Sequence, residues 1–194
     1  MTNIRAEFVT SYANPAEIPK DGLPHVAMLG RSNAGKSTLI NSIMNSKTLA
    51  NVSSRQGRTR LVNVFDIEGR YHLVDLPGYG FASGSKEDRA RLQDLLFEYL
   101  RTIERLRYAI VLIDGRIGAT ESDKEILQGL IDENIPFLVV VNKVDKITRS
   151  ELNLMVEKVG IQYPGAQCIA HSSVSGVGRK EIFDAIHTAL SRKE

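Results

Sequence analysis

The 194-residue chain has no tryptophan and one cysteine, Cys168. A single cysteine excludes an internal disulfide, and no Cys/His pair has the spacing of a zinc site. Cys168 lies in the apolar run AQCIAH, where a buried structural thiol is expected rather than a nucleophile. No apolar run approaches the ~20 residues that cross a bilayer, and residues 1–10 carry no signal-peptide pattern. The formal net charge is only +2, with Lys and Arg spread along the chain. That is not the footprint of a protein that binds DNA or coats nucleic acid unaided. Basic residues gather locally at Arg55, Arg58 and Arg60, and again at Arg89, Arg91, Arg101, Arg105 and Arg107. Solvated faces are expected for both groups, with a local basic surface as the alternative. A cytoplasmic monomer without a membrane segment is expected.

Short apolar runs alternate with amphipathic segments over nearly the whole sequence. The runs are HVAMLG (25–30), LVNVFDI (61–67), YHLVDL (71–76), YAIVLID (108–114), PFLVVVN (136–142) and QCIAHS (167–172). Between residues 85 and 106, Leu92, Leu95, Leu96, Tyr99, Ile103 and Leu106 recur at helical spacing, with Ser85 and Asp88 as a candidate capping box. Ile182, Phe183, Ile186 and Leu190 repeat the pattern near Arg179–Arg192. Alternation of this kind predicts an α/β fold, with a mostly parallel sheet and helices on both faces. Two runs meet through Glu68-Gly69, which reads as a hairpin and places one antiparallel strand in that sheet. IRAEFVTSYA adds a candidate edge strand in an N-terminal extension at about residues 1–22. One domain over 1–194 is expected, without repeats or low-complexity segments.

Ligands of such folds bind beyond the carboxyl ends of the strands. After the first run comes GRSNAGKS, Gly30–Ser37, which matches G-x-x-x-x-G-K-[ST]. Its glycines let the backbone wrap a phosphate, with N–H groups and a helix N-terminus aimed at the anion. Lys36 would face the β- and γ-phosphates, and the Ser37 hydroxyl would meet Mg²⁺. DLPGYG, Asp75–Gly80, follows the hairpin. Asp75 can hold Mg²⁺ through a water, and Gly78 lets its N–H approach the γ-phosphate.

NKVD, Asn142–Asp145, follows PFLVVV. A carboxylate there accepts from guanine N1–H and the 2-amino group, donors that adenine lacks. Asn142 can brace the loop, and the Lys143 stem can lie over the ring. Ser172 and Ser173, in SSVSG, with the backbone that follows them, complete the candidate guanine pocket. ANVSSRQGRTR (50–60) has no periodicity and reads as a long loop of the kind a γ-phosphate orders. Thr59 is its candidate metal hydroxyl and Thr48 the alternative; spacing does not choose between them.

GRSNAGKS, GRT, DLPGYG and NKVD in this order, then SSVSG, resemble the EngB (YihA/YsxC) GTPases of bacteria. These belong to the translation-factor-related class of P-loop GTPases, and the likeness runs along essentially the whole chain. It implies a Ras-like fold, GTP and GDP binding with Mg²⁺, and slow hydrolysis as a conformational switch. A role in assembling the large ribosomal subunit, with links to cell division and septation, is implied by the resemblance alone. The site residues it implies are Arg31, Ser32, Asn33, Ala34, Gly35, Lys36, Ser37 and Thr38, then Gly57 and Thr59. Asp75, Gly78, Asn142, Lys143, Asp145, Ser172, Ser173 and Val174 complete them, with Lys36, Thr59 and Gly78 nearest the chemistry. Two positions depart from the family pattern: Asn142 stands where threonine is frequent, and Gln56 where proline is. Neither removes a needed group.

Many GTPases carry a water-orienting glutamine two residues after the proline of this switch motif; here the residue is Tyr79. A phenol cannot replace the amide's paired donor and acceptor. Missing catalytic help is expected from a ribosomal partner or from K⁺ beside Asn33, which would neutralise charge in the transition state. Asn33 equally suits a loop-fixing role through its own side chain. A P-loop small-molecule kinase would share Gly30–Ser37 but has no use for NKVD. A nucleotide-binding module without turnover is the other alternative.

Overall fold

A computed structural model of the chain describes residues 5–18, 20–46, 49, 61–80 and 86–191. The strands are β1 (Ala6–Tyr12), β2 (His25–Gly30), β3 (Val62–Ile67), β4 (Tyr71–Asp75), β5 (Leu106–Asp114), β6 (Phe137–Asn142) and β7 (Gln167–His171). The helices are α1 (Lys36–Ile43), α2 (Lys86–Thr102), α3 (Glu121–Asp132), α4 (Arg149–Gln162) and α5 (Arg179–Ser191).

The seven strands form one sheet in the order β1-β3-β4-β2-β5-β6-β7. β3 runs antiparallel to both β1 and β4, and every other pairing is parallel. The hairpin forms at Glu68 and Gly69, whose φ values of 56° and 63° give two left-handed residues in succession. A turn of that hand matches the twist of the flanking strands. The N-terminal run forms the edge strand, with Ala6 opposite Ile67 and Tyr12 opposite Val62.

Strand alternation sends side chains to two cores. Ala27, Leu29, Val111 and Ile113 meet Leu96 and Tyr99 of α2, Leu127 and Leu130 of α3, and Val159 of α4. Val26, Met28, Ile110 and Leu112 meet Leu39 and Ile40 of α1, and Ile182 and Ile186 of α5. Both faces are therefore covered, which is why the central strands read as unbroken apolar runs.

The apolar spacing of residues 85–106 overruns its helix. α2 ends at Thr102, Ile103 follows it, and Leu106 opens β5. Spacing continued because Ile103 and Leu106 pack into the same cluster as Leu96 and Tyr99. Ser85, the candidate cap, lies outside the described residues. Cys168 is half-buried, and burial pushes its thiol up to about 11, so it carries no thiolate character at neutral pH. Among the described residues no helix is long and apolar enough to cross a membrane.

Candidate functional site

β2, β4, β5, β6 and β7 all end on one side of the sheet, and the chain reverses its direction of strand addition around β2. β2 ends at Gly30, and Arg31 keeps a single bridge to Tyr79. Asn33 (φ 66°) and Gly35 (φ 102°) are left-handed, turning the backbone round so that α1 starts at Lys36. A Cβ on Gly35 would sit 2.5 Å from Asn142 Nδ2, so that position requires glycine for both space and conformation. The result is a backbone ring closed by the N-terminus of α1, an arrangement that can hold an anion. The Lys36 ammonium donates to the Gly30 carbonyl at 3.2 Å. Burial lowers its pKa, while Asp75 opposes that shift. Ser37 is half-buried and Thr38 exposed in the first turn of α1, Ala34 is buried, and Arg31 and Ser32 are half-buried.

Asp75 ends β4 beside Met28 of β2 and is buried. Burial raises its carboxyl pKa, with Lys36 pulling the other way. Among the described residues, Asp75 Oδ1 has no hydrogen-bond partner. A buried carboxylate oxygen without a donor is costly unless a ligand supplies the missing charge. Mg²⁺ with its waters fits that need, taking hard oxygen ligands such as this carboxylate and the Ser37 hydroxyl.

Beyond Asp75 the chain lies against the phosphate loop. Ser32 N–H donates to the Tyr79 carbonyl at 2.9 Å, and Ser32 Oγ to the Gly78 carbonyl at 3.1 Å. A Cβ on Gly78 would stand 3.0 Å from three Ser32 atoms, so a side chain there would require Ser32 to shift. The Tyr79 side chain turns into the core, where its hydroxyl donates to Asp123 Oδ1 at 2.9 Å. The other Asp123 oxygen accepts from Thr120 N–H (2.8 Å) and Oγ1 (2.7 Å), which start α3. Burial and the Asp123 carboxylate push the phenol well above its ordinary pKa.

The loop after β6 is tied to the same ring. Asn142 Nδ2 donates to the Ala34 carbonyl at 2.8 Å. Lys143, left-handed at φ 63°, donates through Nζ to the Asn33 carbonyl (2.6 Å) and Asp114 Oδ2 (2.8 Å). Asp145 is exposed and its Oδ1 accepts from Ser172 Oγ at 2.6 Å. That hydroxyl, with help from Lys146, lowers the Asp145 pKa and keeps it ionised. Ser172 Oγ in turn accepts from Val174 N–H (3.2 Å) and Ser175 N–H (3.3 Å), holding the loop after β7 in shape. Ser173 and Val174 are exposed beside Asp145 and Ser172.

The chain has relatives among known proteins. The model of a family described as "50S ribosome-binding GTPase" matches residues 25–143. A "Probable GTP-binding protein EngB" of Caldanaerobacter subterraneus subsp. tengcongensis is 40% identical over 189 residues, 96% of this chain and 97% of the relative. Its counterpart in Solibacter usitatus is 37% identical over 193 residues, covering 100% of both chains. The chain belongs to the EngB family of GTP-binding proteins. A crystal structure of a probable GTP-binding protein engB has the same fold, with a TM-score of 0.72 at 23% identity, covering 87% of this chain and 99% of that one. Era, solved with MgGDPNP and a 16S ribosomal RNA segment, aligns with a TM-score of 0.67 at 26% identity, over 89% of this chain and 58% of its own.

In this EngB-family GTPase the described residues of GRSNAGKS, DLPGYG, NKVD and SSVSG meet at the carboxyl ends of the strands, tied by hydrogen bonds. Gly57, Thr59 and the alternative Thr48 lie outside the described residues. Two participants are absent from the sequence reading. Asp114, ending β5, binds Lys143 and both the backbone and guanidinium of Arg116, at 2.7–3.0 Å for the latter. Those partners, Arg116 foremost, hold its carboxyl well below the usual range. Its place after YAIVLI was the available signal, a carboxylate at a strand end. His171, the last residue of β7, contacts Asn142, and only tertiary structure brings those two together.

Proposed function

We propose that this EngB-family GTPase is a GTP-dependent switch acting in large ribosomal subunit assembly, in the cytoplasm, with slow intrinsic hydrolysis. The observation that carries this reading is the direct tie between NKVD and the phosphate loop, through Asn142 to Ala34 and Lys143 to Asn33. Such a tie lets one ligand engage both, with its base at Asp145 and its phosphates at Lys36.

In this reading the ring from Arg31 to Gly35 and the start of α1 at Lys36, Ser37 and Thr38 take the phosphates. Asp145 reads guanine, Asn142 and Lys143 brace it, and Ser172, Ser173 and Val174 wall the base. Ser37, Thr59 and, through water, Asp75 would hold Mg²⁺, which when bound would offset phosphate charge. Gly78 leaves its contact with Ser32 when a γ-phosphate arrives, which gives the switch two positions.

Slow turnover follows from Tyr79, whose hydroxyl is engaged with Asp123 and remote from water-handling work. A ribosomal partner, K⁺ beside the exposed Asn33, or both would supply the missing stabilisation. Equal hydrolysis rates in K⁺ and Na⁺, with and without ribosomal particles, would remove the cation from this scheme. Co-sedimentation with ribosomal subunits in GDP, GTP and a non-hydrolysable analogue tests the main reading. Association that depends on the nucleotide is expected; association in no state would leave only a GTPase.

A further inference from the structure

The last residue of β7, His171, and Ser172 after it reach the two ends of NKVD. Ser172 takes Asp145, donating through Oγ to Oδ1 at 2.6 Å. His171 takes Asn142: its Nδ1 lies 2.8 Å from Asn142 Oδ1, with both residues fully buried. Asn142 is symmetric in shape but not in chemistry, since one end of its amide donates and the other accepts. The neighbours decide which end faces which way.

Nδ2 faces the Ala34 carbonyl, which can only accept. Oδ1 therefore needs a donor, and His171 Nδ1 stands in that place. A neutral imidazole has one N–H, so it sits on Nδ1 and leaves Nε2 as an acceptor. Nε2 is 3.4 Å from Ser42 Oγ of α1, whose hydroxyl can point its hydrogen there. Burial agrees with the neutral ring, lowering its pKa to about 4. The chain of contacts runs from α1 through β7 and β6 into the phosphate loop, with each donor facing an acceptor.

We infer that His171 is a positioning residue for guanine-nucleotide binding, fixing the Asn142 amide in the one orientation that ties NKVD to the phosphate loop. Reversing that amide would set Oδ1 against the Ala34 carbonyl, two acceptors face to face. It would also present Oδ1 where Gly35 now packs closest to Nδ2. Loss of the His171 donor leaves the buried Oδ1 without a partner and Asn142 held from one side only, which loosens the ring that holds the phosphates. This inference rests on the GTP-binding reading.

The test uses the full chain and fluorescent GDP and GTP analogues. His171→Leu fills the space without a donor, while His171→Asn can place its Nδ2 near the present Nδ1. His171→Leu is expected to weaken both nucleotides by about tenfold or more, and His171→Asn by less than about threefold. In the His171→Leu background, Asn142→Ala should then cost little more, because the tie is already lost. NMR of the unmodified chain with isotope-labelled histidine should show His171 protonated at Nδ1 and bare at Nε2. Near-unmodified affinity in His171→Leu, or a proton on Nε2, would overturn the inference. The NMR result decides it even if His171→Leu fails to fold. Failure of the unmodified chain to bind guanine nucleotides would overturn instead the reading beneath it.

Discussion

Tyr79 stands where a glutamine would orient water, yet its ring belongs to the core and its hydroxyl to α3. Tyr79→Phe keeps the packing and removes one donor from a buried carboxylate that retains its Thr120 partners. We expect a stability loss of about 1–2 kcal/mol by urea unfolding and single-turnover phosphate release within about twofold of the unmodified chain. A large drop in rate with unchanged stability would make the hydroxyl catalytic. Gly35 is constrained from two directions, by its φ of 102° and by Asn142 Nδ2 at 2.5 Å from a would-be Cβ. Gly35→Ala should cost about 1–3 kcal/mol of strain and weaken GDP at least ~tenfold, read by fluorescence titration.

At the scale of elements, the β3–β4 hairpin carries Glu68 in a left-handed conformation, which suits asparagine better than glutamate. Glu68→Asn should therefore stabilise by roughly 0.5 kcal/mol, since the exposed Arg70 pair it gives up, at 3.6 Å, contributes little. An unchanged or lowered urea midpoint would show that the ion pair outweighs the turn.

At the opposite end of the strands, β2, β4, α2 and the segment before β2 meet around two histidines. His25 Nδ1 lies 3.1 Å from the Tyr99 hydroxyl, its ring is 5.3 Å from that of His72, and His72 Nε2 lies 2.7 Å from Asp21 Oδ2. Burial foremost, then His72, lowers the His25 pKa to about 4, against an ordinary value of 6.5. The unfolded chain therefore binds the extra proton across that window and the folded chain does not. Stability is full above pH 6.5 and falls as pH drops towards 4, by up to ~3 kcal/mol from this group, with His171 acting in the same direction. Urea midpoints measured across the window should fall with pH, less steeply in His25→Asn; a flat profile in the unmodified chain would refute the assignment.

For the whole molecule, a ligand that engages both the phosphate ring and NKVD adds its binding energy to folding. GDP at a hundred times its Kd should add about 2.7 kcal/mol, raising Tm by roughly 5–10 °C, while ATP at the same concentration should not. An equal shift with ATP would deny Asp145 its base-reading role. The sheet was largely readable beforehand because its central strands are buried on both faces and so stand out as apolar runs, as with HVAMLG and PFLVVV. The α2 boundary was not, because Ile103 and Leu106 serve the same core from beyond the helix end. Lys36, Asp75 and NKVD were visible because GRSNAGKS, DLPGYG and NKVD are short fixed motifs that each follow an apolar run. The direction of the Tyr79 side chain was invisible, since DLPGYG reads identically whether the phenol faces phosphate or α3.

Sequence by itself determined the alternation of strands and helices, the order of the nucleotide motifs and the tyrosine in place of glutamine at position 79. Each depends on local spacing or on the chemistry of a single residue. Tertiary structure alone decided that Tyr79 serves Asp123, that Asp114 steadies Lys143 and that His171 orients Asn142. These pairs lie 44, 29 and 29 residues apart along the chain. Such contacts arise where the sheet order brings strand ends and helix starts together, and no local period encodes which hydrogen bond will satisfy a buried group.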